Sequence, residues 1–169
     1  MELKEALIKR RSVRKFTDEP VSDEHIEELL SAAMSGPSAC NRCPWEFFVI
    51  TKSETLEKLR GASRFSKMKA PLAVVVCGNL SRALPLTLGG YWIQDCSAAT
   101  ENILLRATDL GLGAVWCGVH PQKKVEQRVS EILSLTKNWI PLNIIWIGHP
   151  DEAPEARTQY DSRRVHYIK

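Results

Sequence analysis

Short apolar runs and amphipathic helical segments alternate along the chain, and this alternation is the strongest constraint on its fold. The runs at 72–77 and 144–147 are strand-sized, and the first contains valine at each of positions 74–76. A run that is apolar on both faces is typical of a central strand covered on both sides. Residues 91–110 instead carry their apolar side chains at helical spacing. The pattern predicts an α+β domain with a mixed central β-sheet flanked by helices.

Residues with strong positional preferences indicate where the helices begin and end. Ser22 is expected to cap a helix that stops at Gly36, and Ser53 to cap a shorter helix. Pro121 is expected in the first turn of a later helix, where its missing N–H costs nothing. The strands are predicted at residues 45–51, 71–78, 114–119 and 142–148. Residues from 149 onward show no periodic apolar face, so we expect this tail to extend over a second subunit.

The size and charge of the chain narrow the classes of function. Its 169 residues suit a single domain spanning 1–169, and its net charge of +3 is too mild to indicate nucleic-acid binding. No apolar run approaches the roughly 20 residues of a membrane span. Residues 1–11 lack the apolar centre of a signal peptide. We therefore expect a cytoplasmic protein without nucleic-acid or membrane partners, and its charge fits a small anionic ligand.

The five cysteines indicate reduced thiols rather than a disulfide framework, because their number is odd. Cys40 and Cys43 have the C-x-x-C spacing of redox and metal motifs. A zinc ribbon needs a second pair, and the other three are dispersed singly at Cys77, Cys96 and Cys117. A thiol-disulfide oxidoreductase that uses Cys40 and Cys43 is retained as an alternative function, although this pair precedes a strand instead of opening a helix.

Basic side chains are concentrated near both ends of the chain. The first helix leads into three arginines and a serine within five residues, namely Arg10, Arg11, Ser12 and Arg14. Because a guanidinium binds phosphate through a planar pair of donors, this cluster is a candidate site for a terminal phosphate of about −2 charge. A solvated basic helix end is the alternative interpretation. Arg163 and Arg164 form a second, smaller cluster.

Two loops are candidates for contact with a flat ligand. The loop before the first strand is built from small and polar residues, among them Pro37, Ser38 and Asn41. Small side chains let backbone groups approach a ligand closely, although a simple connection is the alternative. The second loop follows a buried strand that ends with Trp116, Cys117 and Gly118. Backbone N–H groups at the helix start that comes next can meet an electron-rich ligand edge.

Other common catalytic and binding patterns are missing from the sequence. It contains no G-x-G-x-x-G dinucleotide motif, no phosphate-binding G-K-[ST] loop and no G-x-S-x-G elbow. Its four histidines do not have the spacing of a sequence-local metal site. We therefore nominate no metal ligand and no side chain as a catalytic nucleophile.

The order of the motifs resembles the nitroreductase-like flavoproteins across nearly the whole chain. The family's R-R-S-x-R-x-F motif is matched at Arg10, Arg11, Ser12, Arg14 and Phe16. Its P-S-x-x-N-x-Q-P-W-x-F motif is matched at Pro37, Ser38, Asn41, Pro44, Trp45 and Phe47. The later matches are G-L-G at 111–113, the glycine Gly118, I-P-L at 140–142, G-x-P at 148–150 and a basic tail ending R-V-H.

The resemblance implies an FMN-dependent NAD(P)H oxidoreductase with the nitroreductase-like fold. It implies a homodimer with two shared active sites, each holding one FMN. NADH or NADPH would pass hydride to flavin N5 and leave, and a nitroaromatic, quinone or similar small-molecule electron acceptor would then take its place. A flavin-binding or regulatory module without turnover is a further alternative.

The matched positions also imply roles for individual residues in cofactor binding. The first motif would bind the cofactor. Arg10, Ser12 and Arg14 would hold the phosphate and the flavin edge, and Arg11 belongs to the same motif. Arg163 or Arg164 would join them from the tail. Pro37, Ser38 and Asn41, from the opposite subunit, would border the ring and the ribityl chain. The backbone of Trp116, Cys117 and Gly118 would face N5 and the pyrimidine side, where a side chain at the glycine would collide with the ring.

Two positions depart from the family's pattern. Cys43 stands where the family commonly has glutamine, and Cys117 stands where other members often carry an acidic or small residue. If the role at position 117 belongs to the backbone N–H, cysteine is tolerable there. The chain is also short for the family, so segments that cover the active site elsewhere are expected to be absent.

Overall fold

The computed structural model describes residues 1–88 and 90–169. Helices and strands alternate in the order α1 (Leu3–Lys9), α2 (Asp23–Met34), β1 (Trp45–Ile50), α3 (Ser53–Arg60), β2 (Leu72–Asn79), α4 (Trp92–Asp109), β3 (Gly113–Gly118), α5 (Lys123–Leu133) and β4 (Trp139–Gly148). Short 3-10 turns lie at Ala39–Asn41, Leu86–Leu88 and Ser162–Arg164. Within these described ranges, no helix has the length and apolarity needed to cross a membrane.

The four strands form one sheet in the order β1-β2-β4-β3, and each neighbouring pair is antiparallel. The α+β class is confirmed, but the expectation of a mixed sheet needs correction. β2 and β3 run in the same direction because both are antiparallel to β4, which lies between them and prevents a parallel ladder. In the described ranges, parallel pairing is limited to the isolated bridge between Ser12 and Ala114.

The sheet carries an apolar core on each face. α2 and α4 cover one face, where Leu29, Ile103 and Ile145 are fully buried. α3 and α5 cover the other face, where Trp146 is fully buried. Every residue of β2 is buried, as its uninterrupted apolar run predicted. Full burial of a valine side chain stabilises the fold by about 2 kcal/mol. The three buried valines of β2 therefore make a large contribution to the stability of the sheet.

β3 alternates between the two cores. Ala114 and Trp116 pack on the α2 and α4 side, whereas Val115, Cys117 and Val119 pack on the α3 and α5 side. This period of two is the usual consequence of the pleated backbone. It decides which face each residue at the end of β3 can reach.

β4 begins at Trp139, three residues earlier than the strand predicted from 142. Pro141 therefore lies inside a central strand, where it pairs with Cys77. Proline has no N–H to donate to a neighbouring strand. The register of the β2–β4 ladder shifts between Val76 and Cys77, next to this proline, which accommodates the missing donor.

The helix starts agree with the sequence only in part. Ser22 caps α2 as predicted, because its side chain accepts a hydrogen bond from the His25 N–H at 3.2 Å. Ser53 does not cap α3: the Lys52 carbonyl accepts the first helical hydrogen bonds, which places Ser53 inside the first turn. Pro121 precedes α5, because the Gln122 N–H turns back to the Val119 carbonyl before the helix begins.

Candidate active site

The segment after α1 is fixed along the first residues of β3. Ser12 forms a bridge with Ala114, and the Val13 N–H donates to the Ala114 carbonyl at 3.0 Å. The Val13 side chain is buried directly against Gly113, where a Cβ atom would lie 2.6 Å from a Val13 methyl carbon. Glycine at position 113 therefore permits the arginine-rich segment to lie close to the sheet edge.

Two of the arginines leave their guanidinium groups near the surface. The Nε atom of Arg10 lies 3.4 Å from a Glu101 carboxylate oxygen on α4. Arg14 is exposed, and its Nη1 donates to the Ser12 carbonyl at 3.3 Å. Its backbone N–H is held separately by the Glu152 carboxylate at 2.6 Å. The guanidinium of Arg14 is thus available to a ligand while its backbone stays anchored.

Arg11 has an unmet hydrogen-bond donor. Its Nε atom is buried and has no hydrogen-bond partner among the described residues. Burial lowers the pKa of Arg11, and the nearby positive charges of Arg157 and Arg10 lower it further. A buried donor without an acceptor is unfavourable, because it has lost its hydrogen bond to water. Positive charge and an unmet donor in one place fit a negatively charged group such as a phosphate.

The end of β3 faces open space on one side of the sheet. Gly118 is exposed, and a Cβ atom added to it would meet no atom within 4 Å. Since Ala114 and Trp116 point to the α4 side, the missing side chain of Gly118 leaves its gap on that same side. A planar ligand can therefore approach the backbone here without displacing protein atoms.

Cys117 points to the opposite side and is buried. Its thiol donates to the Phe65 carbonyl at 3.2 Å. Burial raises the pKa of the Cys117 thiol to about 11, although the nearby positive charge of Arg14 lowers it somewhat. The positive charge of Arg14 thus reaches Cys117, whose side chain faces away from the open space at Gly118. Because the thiol is neutral and turned into the core, the backbone is the part of Cys117 that can serve a ligand.

The loop before β1 has an unusual backbone conformation. Cys40, Asn41 and Cys43 have φ angles of 50°, 52° and 44°, which few residues other than glycine adopt. The Ser38 hydroxyl accepts from the Cys43 N–H at 2.9 Å, and Asn41 is exposed. Such conformations cost about 1–3 kcal/mol each and cluster at functional sites. The backbone conformation therefore makes this loop, which includes exposed Pro37, a candidate functional segment.

One protomer does not bring this loop next to Gly118 through the sheet. The loop precedes β1 at one edge, whereas Gly118 ends β3 at the other edge. Both lie at the same end of the sheet, since Trp45 pairs with Gly78 and Gly118 pairs with Asn143. They are separated by three strand spacings of about 4.8 Å each. The predicted contribution of Pro37, Ser38 and Asn41 to a shared site stays a prediction.

The two tail arginines expected at the phosphate are bound elsewhere in the described protomer. Arg163 and Arg164 both pair with Asp161, at 2.9 and 3.5 Å, and their side chains are 88% and 85% exposed. These pairs lower the pKa of Asp161, mainly through its hydrogen bond with Arg163. Convergence of either arginine with Arg10 and Arg14 on one phosphate stays a prediction.

Two polar arrangements were missed by the sequence analysis. Asp95 on α4 is buried and accepts from the Ala39 N–H at 2.8 Å, which ties the loop before β1 to the longest helix. The available signal was an acidic residue, Asp95, directly before the apolar Cys96 in the first turn of a helix. His120 Nδ1 lies 2.8 Å from a carboxylate oxygen of Glu126, which is also buried. No spacing rule indicated that pair, because a turn separates the two residues.

Comparisons with known proteins point to one family. The nitroreductase family model matches residues 7–67 and 68–149. A Methanothermobacter thermautotrophicus protein named "Putative NADH dehydrogenase/NAD(P)H nitroreductase" is 41% identical over 171 residues, which cover 100% of this chain and 88% of that protein. The solved structure of a protein of the same name from Parabacteroides distasonis is 35% identical, with a TM-score of 0.92 and coverage of 99% and 98%.

An FMN-dependent nitroreductase from Clostridium difficile has also been solved. It is 31% identical to this chain, with a TM-score of 0.87 and coverage of 97% of this chain and 98% of that one. The family match extends over both halves of the chain and includes the arginine-rich segment, the loop before β1 and the whole sheet. The chain belongs to the nitroreductase family.

Proposed function

We propose that this chain is an FMN-dependent oxidoreductase that passes hydride from NADH or NADPH to nitroaromatic, quinone or similar acceptors. The observation that carries the proposal is the open space beside Gly118, which lies at the end of the strand along which the arginine-rich segment is fixed. Cationic groups along a strand whose end is uncovered suit a ligand that is both flat and anionic. The names of the Clostridium difficile and Methanothermobacter relatives include FMN dependence and NAD(P)H nitroreductase activity, respectively.

The arginine-rich segment would hold the phosphate of FMN. Arg14 offers an exposed guanidinium, Arg10 is half-buried beside Glu101, and Ser12 lies between them. Charge-assisted hydrogen bonds from guanidinium to phosphate are among the strongest in proteins. Arg11 would add a further positive charge and its unmet Nε donor. Arg163 or Arg164 would complete the set, once released from Asp161.

The end of β3 would hold the ring. Backbone groups of Trp116, Cys117 and Gly118 would face its N5 and pyrimidine side, since the Cys117 thiol is occupied by the Phe65 carbonyl. Pro37, Ser38 and Asn41 of a second protomer would border the ring and the ribityl chain. When bound, FMN supplies the hydride chemistry at N5, and the chain supplies position and electrostatics. No nucleophilic side chain is needed.

A second copy of the chain is part of the proposal. Apolar side chains are exposed on α1 and α2, where Leu3, Leu7 and Met34 are 68%, 55% and 54% exposed. A groove of about 370 Å³ lies beside them, lined by residues of α1, α2 and α4. The tail carries further exposed side chains at Tyr160, Tyr167 and Ile168. Exposed apolar surface of this kind is typical of an interface, and a homodimer would cover it.

The test begins with the purified protein. We expect it to carry the visible absorbance of oxidised flavin, to lose that absorbance when NADH or NADPH is added without oxygen, and to regain it when menadione or nitrofurazone follows. Light scattering is expected to give the mass of a dimer. A colourless monomer that does not bind added FMN would overturn the proposal.

A further inference from the structure

His120 follows Gly118, the exposed last residue of β3, by two positions. Strand alternation ends with β3, so the contacts of His120 decide which side of the sheet it faces. The Val119 and His120 N–H groups both donate to the Leu142 carbonyl, at 2.9 and 3.0 Å, which holds this stretch against β4 beyond the last strand residue. The His120 ring also contacts Trp92 edge-to-face, with ring centroids 5.0 Å apart. Trp92 belongs to the α4 core, so this contact places the His120 ring on the side of the sheet where the open space at Gly118 lies.

The imidazole of His120 is oriented by a buried carboxylate. Its Nδ1 atom lies 2.8 Å from Glu126, whose side chain is 9% exposed. Because the carboxylate accepts the Nδ1–H, the Nε2 atom remains for proton exchange. The second Glu126 oxygen binds the Lys123 ammonium at 2.9 Å. A histidine backed by a carboxylate is the arrangement that general acids commonly use.

The groups that face this imidazole come from two helices and one strand. α5 contributes Glu126 and, behind it, Lys123; α4 contributes the uncharged Trp92; β4 contributes the Leu142 carbonyl to the backbone. Asp95 is the charged residue of α4 that is closest in sequence to Trp92, and it is bound to the Ala39 N–H. The His120 side chain is 19% exposed, so protons from solvent can reach it.

We propose that His120 donates a proton to the electron acceptor at this site and that Glu126 is its positioning residue. The inference rests on the proposed function, and it adds a catalytic residue to a site whose other residues only bind. A quinone takes up two electrons and one proton as hydride, which leaves a hydroquinone monoanion. The Nε2–H bond of the imidazolium breaks, an O–H bond forms on the hydroquinone, and the neutral imidazole regains its proton from solvent.

The test compares an acceptor that needs a proton with one that does not. Menadione becomes a hydroquinone, whereas ferricyanide takes single electrons and no proton. In stopped-flow oxidation of the NADH- or NADPH-reduced holoenzyme, His120→Gln is expected to slow menadione reduction by about 100-fold, within the range of general acid catalysis. Ferricyanide reduction is expected to stay within about twofold of the unsubstituted protein, because no proton donor is involved.

Two further variants make the comparison specific. Glu126→Gln keeps the imidazole but removes the charge that orients it, so a smaller loss with menadione alone is expected. His149→Gln is the matched control, because His149 also faces a carboxylate, Glu19 at 3.7 Å, but lies next to Gly148 at the other end of the sheet. It is expected to leave both acceptor rates unchanged. If His120→Gln fails to fold, His120→Asn replaces it.

A readout without turnover uses the oxidised holoenzyme. Menadione added to it is expected to shift the Nε2 resonance of His120 in nitrogen-15 NMR and to leave that of His149 unmoved. Equal slowing of menadione and ferricyanide by His120→Gln, no slowing of either, or an unmoved Nε2 resonance would each overturn the inference. Failure of the proposed function is distinguishable, because the unsubstituted protein would then not be reduced by NADH or NADPH at all.

Discussion

The Asp95 carboxylate accepts a hydrogen bond from the Ala39 N–H at 2.8 Å and thereby joins the first turn of α4 to the loop before β1. Asp95 is only 4% exposed, and its second oxygen has no partner among the described residues. The loop contains three residues with positive φ, which its own sequence does not favour. A contact from outside the loop therefore helps to maintain its conformation.

Removing this contact is expected to loosen the loop. Asp95→Ala should lower the free energy of unfolding by about 1–3 kcal/mol, the usual cost of a buried hydrogen-bond donor left without its acceptor. Trypsin cleavage after Arg42, which is exposed in this loop, should become faster. Asp95→Asn retains an acceptor oxygen and should restore slow cleavage. If the Asn variant is cleaved as fast as the Ala variant, the hydrogen bond does not hold the loop.

Arg14→Ala is expected to weaken FMN binding without unfolding the protein. The lost guanidinium would cost about 1.5–3 kcal/mol, or at least about tenfold in Kd, if it binds the phosphate. The backbone contact of residue 14 to Glu152 does not depend on the side chain. Lys15→Ala is the matched control, since Lys15 is exposed and its N–H donates to the same carboxylate. Equal flavin occupancy in both variants, measured from absorbance, would contradict the assigned role of Arg14.

Two glycines at the same end of the sheet should respond differently to substitution. Gly118→Val fills space that no protein atom occupies, so the apoprotein should keep its Tm while FMN binding is lost. Gly78→Ala places a methyl group against the Trp92 ring, and overpacking of this kind typically costs about 1–3 kcal/mol. Thermal unfolding and flavin titration of both variants separate the two effects. A large drop in the Tm of apo Gly118→Val would contradict the open space.

Cys117 and Cys40 are expected to differ in their rate of reaction with iodoacetamide at pH 8. Burial raises the pKa of Cys117 to about 11, so at pH 8 this thiol is protonated and should resist iodoacetamide while exposed Cys40 reacts. The folded state favours the neutral form of Cys117. Its contribution to stability is therefore full below the ordinary thiol pKa and is lost as the pH rises through about 11. The extent of alkylation at each cysteine is measured by mass spectrometry of peptides after brief treatment of the native protein. Rapid modification of Cys117 at pH 8 would refute the prediction.

Replacing Cys40 and Cys43 together with serine tests the thiol-disulfide alternative. Cys40 is exposed and Cys43 is half-buried, and serine preserves the size of both side chains. If the flavin carries the electrons, turnover of NADH or NADPH with menadione should stay within about twofold, because neither thiol takes part in the reaction. A loss of most of the turnover in a well-folded double variant would favour the dithiol mechanism.

Local sequence signals predicted much of this fold, but they did not predict pairing across the sheet. The apolar run of β2 and the Ser22 cap depend on neighbouring residues, and both are confirmed. The position of β4 between β2 and β3 depends on contacts between distant segments, which no local pattern encodes. The start of β4 was missed because it contains Pro141, and proline is usually excluded from central strands.

The order of motifs predicts which residues form the site, and their roles in cofactor binding stay predictions. The arginine-rich segment lies along the first residues of β3, because residues 12 and 13 bind the backbone of Ala114. The roles of Asp95 and His120 depend on partners at Ala39 and Glu126 that only the fold brings into contact. Buried polar pairs of this kind are difficult to predict from a single sequence.

The order of the strands has a consequence for how the chain is made. β4 is the last strand to be synthesised, yet β3 has β4 as its only neighbour in the described sheet. A growing polypeptide therefore cannot attach β3 to β2 until residues 139–148 have emerged from the ribosome. Until then, one edge of the apolar strand β2 has no strand partner. Nascent chains of this protein are therefore candidates for protection by a chaperone.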